Sequence, residues 1–260
     1  EEPRIPVDRL QASLRWSQDA HGRWSVQVPQ AQFANADAQG QLQLRWQMGA
    51  DAARRLPGDL ELEGVLSRAN GARVHRYLPL EVPQDARHYV RDSVRSGSAS
   101  NVRFKVAGPL EQFPFDTHGS KGVFHIVAPV RDVVYDYVPP RLRAEGEAPW
   151  PLITQLAGEL VFDRAGMQVR NAQGWFGEHS KVPLEAIQAA IPDLSTPVLD
   201  VSGHGKAALP AWLDVVARSP LAGITEHALD RAAAAGPATL KLALHLPIEQ
   251  LEHARVTGTV

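Results

Sequence analysis

Ten histidines are spread through the 260 residues, and imidazole is both a common metal ligand and a common general base near neutral pH. Their spacing serves neither purpose. No H-x-H or H-E-x-x-H places two rings on one face of an element. His125 and His245 fall on the polar sides of alternating runs, where a solvated ring is expected. His118, Ser120 and Lys121 lie in HGSKG, but a phosphate loop needs glycine five residues before Gly122, where Thr117 stands. Gly203-His204-Gly205-Lys206 fails likewise, with Asp200 upstream and Ala207 after the lysine. There is no G-x-S-x-G elbow. The complete lack of cysteine removes disulfides, thiolate metal sites and a thiol nucleophile together. Carboxylates such as Glu61 and Glu63 sit on polar strand faces, not in apolar runs where burial would raise a pKa for acid catalysis. No enzyme, metal or cofactor is expected.

Charge adds one candidate and one exclusion. Lys and Arg number 27 against 29 Asp and Glu, a net charge of -2, so no global positive field exists to hold a nucleic acid. Arg87, Arg91 and Arg95 are spaced by four on a predicted helix, with Arg73 and Arg76 just upstream. Such a stripe could meet an anionic lipid headgroup or an acidic partner, or be a solvated helix face neutralised by Asp85 and Asp92.

The elements that would position these groups are mostly strands. Apolar and polar residues alternate strictly, the mark of antiparallel strands with one buried face. Leu42, Leu44 and Trp46 alternate with Gln43, Arg45 and Gln47. Val102, Phe104 and Val106 alternate with Arg103 and Lys105; Phe124 and Ile126 follow, then Leu240, Leu242 and Leu244. Helices are predicted over Pro83 to about Arg95, Pro183 to Ile191 and Pro210 to Ala217, each with proline at its first position. A fourth is predicted over Thr225 to Ala235, stopped by Gly236-Pro237. Breaks at Ser96 to Ser100, Pro139 to Pro151 and Leu194 to Pro197 read as linkers. One unit recurs: VRFKVAGPLEQF (Val102 to Phe113) aligns without gaps on LKLALHLPIEQL (Leu240 to Leu251), a strand, a proline and an apolar pair three apart.

No run approaches the roughly 18 apolar residues that span a bilayer. The acidic opening EEPRIPVDRL is not a signal peptide, and the closing ARVTGTV stops inside an alternating run. The chain is therefore expected to be an internal slice of a longer protein. The fold expected is mostly β with a few short helices: an antiparallel, curved or elongated sheet, a meander forming a groove, helices at its edges or on one face. Residues 1–260 form one elongated segment, with sub-modules 1–100 and 101–260 as a possible division.

About a dozen strands would present about 1,100 Å² on one face, whereas four helices of about 11 residues would cover only about 650 Å². The remainder can be buried by the sheet curling on itself, by a neighbouring segment or by an apolar ligand.

RYLPLEVPQDARHYVRDSV, a Gly/Ser stretch and NVRFKVAGPLEQFPF (Arg76 to Phe115) resemble the central region of the YhdP branch of the AsmA-like proteins, as do PWPLITQLAGELVFD, SPLAG and the closing LKLALHLPIEQLEHARVTGTV. The resemblance spans nearly the whole chain and rests on alternation and turns. It implies a periplasmic protein, anchored in the bacterial inner membrane through parts of the parent chain not present here, whose β-rich groove takes phospholipid toward the outer membrane. Its implied partners are phospholipid and possible other envelope proteins. The groove lining expected here is Leu42, Leu44, Trp46, Val102, Phe104, Val106, Phe124, Ile126, Leu240, Leu242 and Leu244. The other reading is a structural or interaction module with a closed, dry core.

Overall fold

The computed structural model describes residues 5–51, 55–80, 82–117, 119–178, 182–224, 228, 232 and 234–259. The alternating runs form one antiparallel sheet of 14 strands. In chain order these are β1 (Arg9–Ala12), β2 (Arg15–Gln18), β3 (Trp24–Ala34), β4 (Ala38–Gln47), β5 (Asp59–Asn70), β6 (Val94–Ala99) and β7 (Val102–Pro109). They continue with β8 (Val123–Tyr135), β9 (Ile153–Asp163), β10 (Gly166–Phe176), β11 (Val182–Ile191), β12 (Val198–Ala208), β13 (Pro237–Pro247) and β14 (Arg255–Thr259). Neighbours in space are nearly always neighbours in sequence. β1 and β2 share β3 at one edge, β6 and β7 both lie between β5 and β8, and β14 forms the far edge. A polypeptide that only reverses at each turn has no crossover to bring helices onto the sheet, and among the described residues the α-helices are few: α1 (Gln84–Ser93), α2 (Leu209–Ala217) and α3 (Leu221–Ile224).

The recurring unit is visible as a strand that ends in proline, β7 at Pro109 and β13 at Pro247, each followed by a tight turn. Other expectations need correction. Pro183 to Ile191 is strand β11, not a helix. Its apolar residues Leu184 and Ile187 are three apart, which imitates a helix face, but Ala186 adopts φ 49° in a β-bulge that inserts one extra residue. The Ser96 to Ser100 stretch is mostly strand β6, where Gly97 at φ 135° lies against Val133. Helix α1 ends at Ser93, so Arg95 sits in β6 and does not extend the Arg87–Arg91 helix face. The helix expected over Thr225 to Ala235 lies largely outside the described residues, as does His118.

Strands of 10 to 13 residues dominate the sheet, and an 11-residue strand is about 36 Å long. The sheet face is thus deeper than the expected area assumed, and fewer helices cover it. Accessible surface reflects this: the chain exposes 16,443 Å², against about 11,200 Å² for a compact monomer of 28.4 kDa.

Among the closely packed regions are two at the rims of the sheet. At the rim where β8 begins, the fully buried Phe115 lies against Gly108 and Gly122, and Phe113 bridges Phe115 and Phe124 at ring distances of 5.8 and 5.0 Å. At the other rim Tyr135, Ile153, Phe176 and Val182 are paired in one row, Tyr137 stacks on Phe176, and α1 and α2 pack nearby. Between these rims β8, β9, β10 and β11 each carry a residue at positive φ, Asp132, Gln155, Asn171 and Ala186. These aligned bulges bend four consecutive strands and keep Val133, Leu156, Ala172 and Ile187 on the face they would otherwise leave.

Gly64 shows how tightly this face is levelled. A Cβ there would stand 2.5 Å from the Gln41 carbonyl and 2.5 Å from Phe104 Cζ. Gly64→Ala is expected to destabilise the fold by about 1–3 kcal/mol, read as a lower urea midpoint with an unchanged slope.

Candidate apolar binding face

In an antiparallel pair, residues directly opposite each other share a face. Following the register from strand to strand therefore shows what each face carries. One row runs Leu42, Gly64, Phe104, Ile126, Phe162, Met167, Ile191 through β4, β5, β7, β8, β9, β10 and β11. Two residues further along the strands, a second runs Ala128, Leu160, Val169, Ala189, Val201, Leu244, Val256 from β8 to β14. On the other side of the first, Val28, Leu44, Leu62, Val106 and Phe124 are paired in sequence. Beyond it lie Trp16, Val26, Trp46, Leu60 and Gly108. Together the first two rows carry an apolar floor from β4 to β14, about 43 Å at 4.8 Å per strand, with no charged side chain in either.

All eleven expected lining residues fall on this face. Val102 is buried, paired with Leu66. The other ten are only partly buried, while the residues between them along each strand are mostly exposed. Leu242 and Leu240 stand opposite Gly203 and Gly205. Large side chains lean into such notches instead of standing up: Phe104 over Gly64, Leu66 over Gly40, Trp46 beside Gly58. The Trp46 indole donates to the Pro57 carbonyl at 2.8 Å, so its polar end is satisfied at the rim. Met167, Val169, Ile187 and Val201 belong to the same floor but were not among the expected lining. Their strands are bulged or glycine-rich, and the short alternation in MQV before Asn171 was the available signal.

Charge lies on the opposite face. Gln43, Glu63, Lys105, His125 and Asp163 pair in turn across five strands, with Lys105 3.5 Å from Glu63 and a Gln43–Glu63 hydrogen bond. His245 is 2.7 Å from Asp200 and His204 3.3 Å from Glu185. Two troughs of about 730 and 530 Å³ open on this side, one along Gln168, Asp200, Ser202 and His245, the other along Gln43, Glu63, Arg103 and Lys105. Among the described residues no group of three His, Asp or Glu could hold a metal ion.

The expected arginine contacts are tied to the protein. Arg87 Nε donates to the Val82 carbonyl at 3.1 Å, Arg91 pairs with Asp92 at 2.7 Å, and Arg95 pairs with the fully buried Asp136, which Arg143 also holds at 3.0 Å. Next to this knot the Tyr89 and Tyr135 hydroxyls are 2.8 Å apart and Tyr89 donates to the Tyr137 carbonyl. Burial pushes the Tyr135 and Tyr137 phenols well above their usual range, with the Asp136 carboxylate adding to both.

Among the described residues no helix is long and apolar enough to cross a membrane. No curated protein and no solved structure matches the chain. A family model described as YhdP protein matches residues 1–260, and the chain belongs to the YhdP family.

Proposed function

We propose that this chain is a non-enzymatic part of a bacterial envelope protein, periplasmic and anchored in the inner membrane in its full length. In this reading it binds and conducts phospholipid along the apolar face toward the outer membrane. The observation that carries the reading is the continuous, uncharged and only partly buried floor from β4 to β14. A closed dry core would bury those side chains, and the excess surface of the chain argues against one. Acyl chains leaving water gain about 0.8 kcal/mol per buried CH₂, while a headgroup can stay at the rim. Because the large residues lie in glycine notches, neighbouring positions along a row offer similar contact, which favours sliding over trapping.

The test uses protein purified from membranes with a photo-crosslinker at Phe104 or at Arg103, adjacent residues on opposite faces. Phospholipid is expected to co-purify and to be labelled from position 104 and not from 103. Equal labelling at both, or none at either, would falsify the reading.

A further inference from the structure

The two helical excursions at the rim are attached in different ways. The one that carries α1 is fastened by polar bonds. Tyr89 bonds to Tyr135 and to the Tyr137 carbonyl, Arg141 bonds to Asp85 at 3.1 Å, and Asp136 clamps the strand that follows it. Helix α2 meets the sheet through apolar contacts. The Trp212 ring lies over Gly205, where a Cβ would stand 2.9 Å from Cη2 and Cζ2. Val215 Cγ2 lies 3.5 Å from where a Gly177 Cβ would be. Gly205 pairs with Leu240 and stands four residues from Val201, which pairs with Leu244, so α2 rests on the rim end of the same apolar face. At the base of the excursion the Leu209 amide donates to the Gly236 carbonyl at 2.9 Å.

One feature of the α2 contact is costly. The Trp212 Nε1–H is buried and has no acceptor among the described residues, whereas water would satisfy it if the helix lifted. A large apolar contact thus holds the helix down while an unsatisfied donor weighs against it, which narrows the gap between seated and lifted states. The bond between Leu209 and Gly236 offers a hinge, and Gly236 at φ 104° has the backbone freedom for one.

We propose that α2 is a cover on the rim end of the apolar face, seated at Gly205 of β12 and at Gly177 by Trp212 and Val215, which lifts to let hydrocarbon occupy the face beneath it. The inference rests on the lipid-conducting reading. It makes the passage of lipid at this point depend on a movement of α2, while α1 stays fixed.

The chain has no cysteine, so a designed pair can be oxidised without competing thiols. Gly177→Cys with Val215→Cys places a sulfur close to the present Val215 Cγ2, within reach of the new Cβ. The same preparation is compared oxidised and reduced, which cancels any effect of the substitutions on folding. The probe is a phosphatidylethanolamine and phosphatidylglycerol vesicle carrying a phospholipid with a fluorescent acyl chain, and the readout is the rate of fluorophore transfer to the protein. Oxidation is expected to slow transfer about tenfold or more, and reduction to restore it. Trp212→Ala, which removes the seat, is expected to act in the opposite direction, speeding transfer about fivefold, with faster amide exchange over Leu209–Ala217. Equal transfer by the oxidised and reduced forms, or no acceleration in Trp212→Ala, overturns the cover and leaves the apolar floor as a lipid site. No transfer to the unmodified chain, or to any variant, overturns both.

Discussion

Ile126→Asp is expected to reduce lipid retention and transfer by about a hundredfold while leaving the chain folded. Ile126 stands mid-row between Phe104 and Phe162 and is only partly buried, so a carboxylate there can be hydrated while the floor is empty. The cost arises when hydrocarbon covers it. A carboxylate in an apolar membrane interior costs about 3 kcal/mol, or about a hundredfold in an equilibrium. Because the rows are continuous, one such position interrupts the path between strands β4–β7 and β9–β14 and should affect transfer at least as strongly as binding. His125→Asp is the matched control, since His125 is the neighbouring residue on the polar face, paired with Lys105 and Asp163. A dry core predicts the reverse pattern: Ile126→Asp would lose several kcal/mol of stability with the charge trapped inside. The denaturation midpoint and the lipid content of the same preparation separate the two. A variant that retains lipid at the level of the unmodified chain removes Ile126 and its row from the path.

What the residues disclosed and what they hid divide along a physical line. Alternation is local, so it specified β3, β4, β7, β8 and β13 and assigned their faces. All eleven expected lining residues share one face because the register joins like to like. Features that depend on partners distant in sequence were not readable. The bulges at Asp132, Gln155, Asn171 and Ala186 shift the period by one residue each, and in PLEAIQAAI that shift made a strand look like a helix. Strand β6 reads as a linker in VRSGSA because small residues carry little pattern; its place is set by Val133 and the end of β5. Val161 is 1% exposed although it lies on the charged face, opposite Val127 and Gln168, which no local rule anticipates. The arginines at 87, 91 and 95 look like one stripe until the helix ends at Ser93. Arg95 then turns to Asp136, 41 residues away.

That pairing makes Asp136 the position where a single substitution should most reduce stability. Asp136→Ala is expected to destabilise the fold by about 3–5 kcal/mol, a large part of the 5–15 kcal/mol typical of a domain. The carboxylate side chain is 1% exposed and is shared by Arg95 and Arg143, of which Arg143 is 16% and Arg95 44% exposed. Removing the acid leaves the enclosed Arg143 guanidinium with the Val138 carbonyl, 2.8 Å away, as its remaining bond in this knot. Arg95→Ala should cost less, about 1 kcal/mol, because water already solvates part of its charge and Arg143 still holds the acid. The same clamp joins the end of β8 to the Ser93 carbonyl through the Asp136 amide at 2.8 Å, so the loss should loosen α1 as well as the loop that contains Arg143. Buried pairs are screened little by salt, and the difference in urea midpoint between Asp136→Ala and the unmodified chain should persist at high ionic strength. If salt erased it, the contribution would be that of an exposed ion pair. Asp136 lies at the rim, outside the two rows that form the floor, so the variant, where folded, should retain lipid as the unmodified chain does. Loss of lipid at full stability would place Asp136 in the binding path and redraw its boundary.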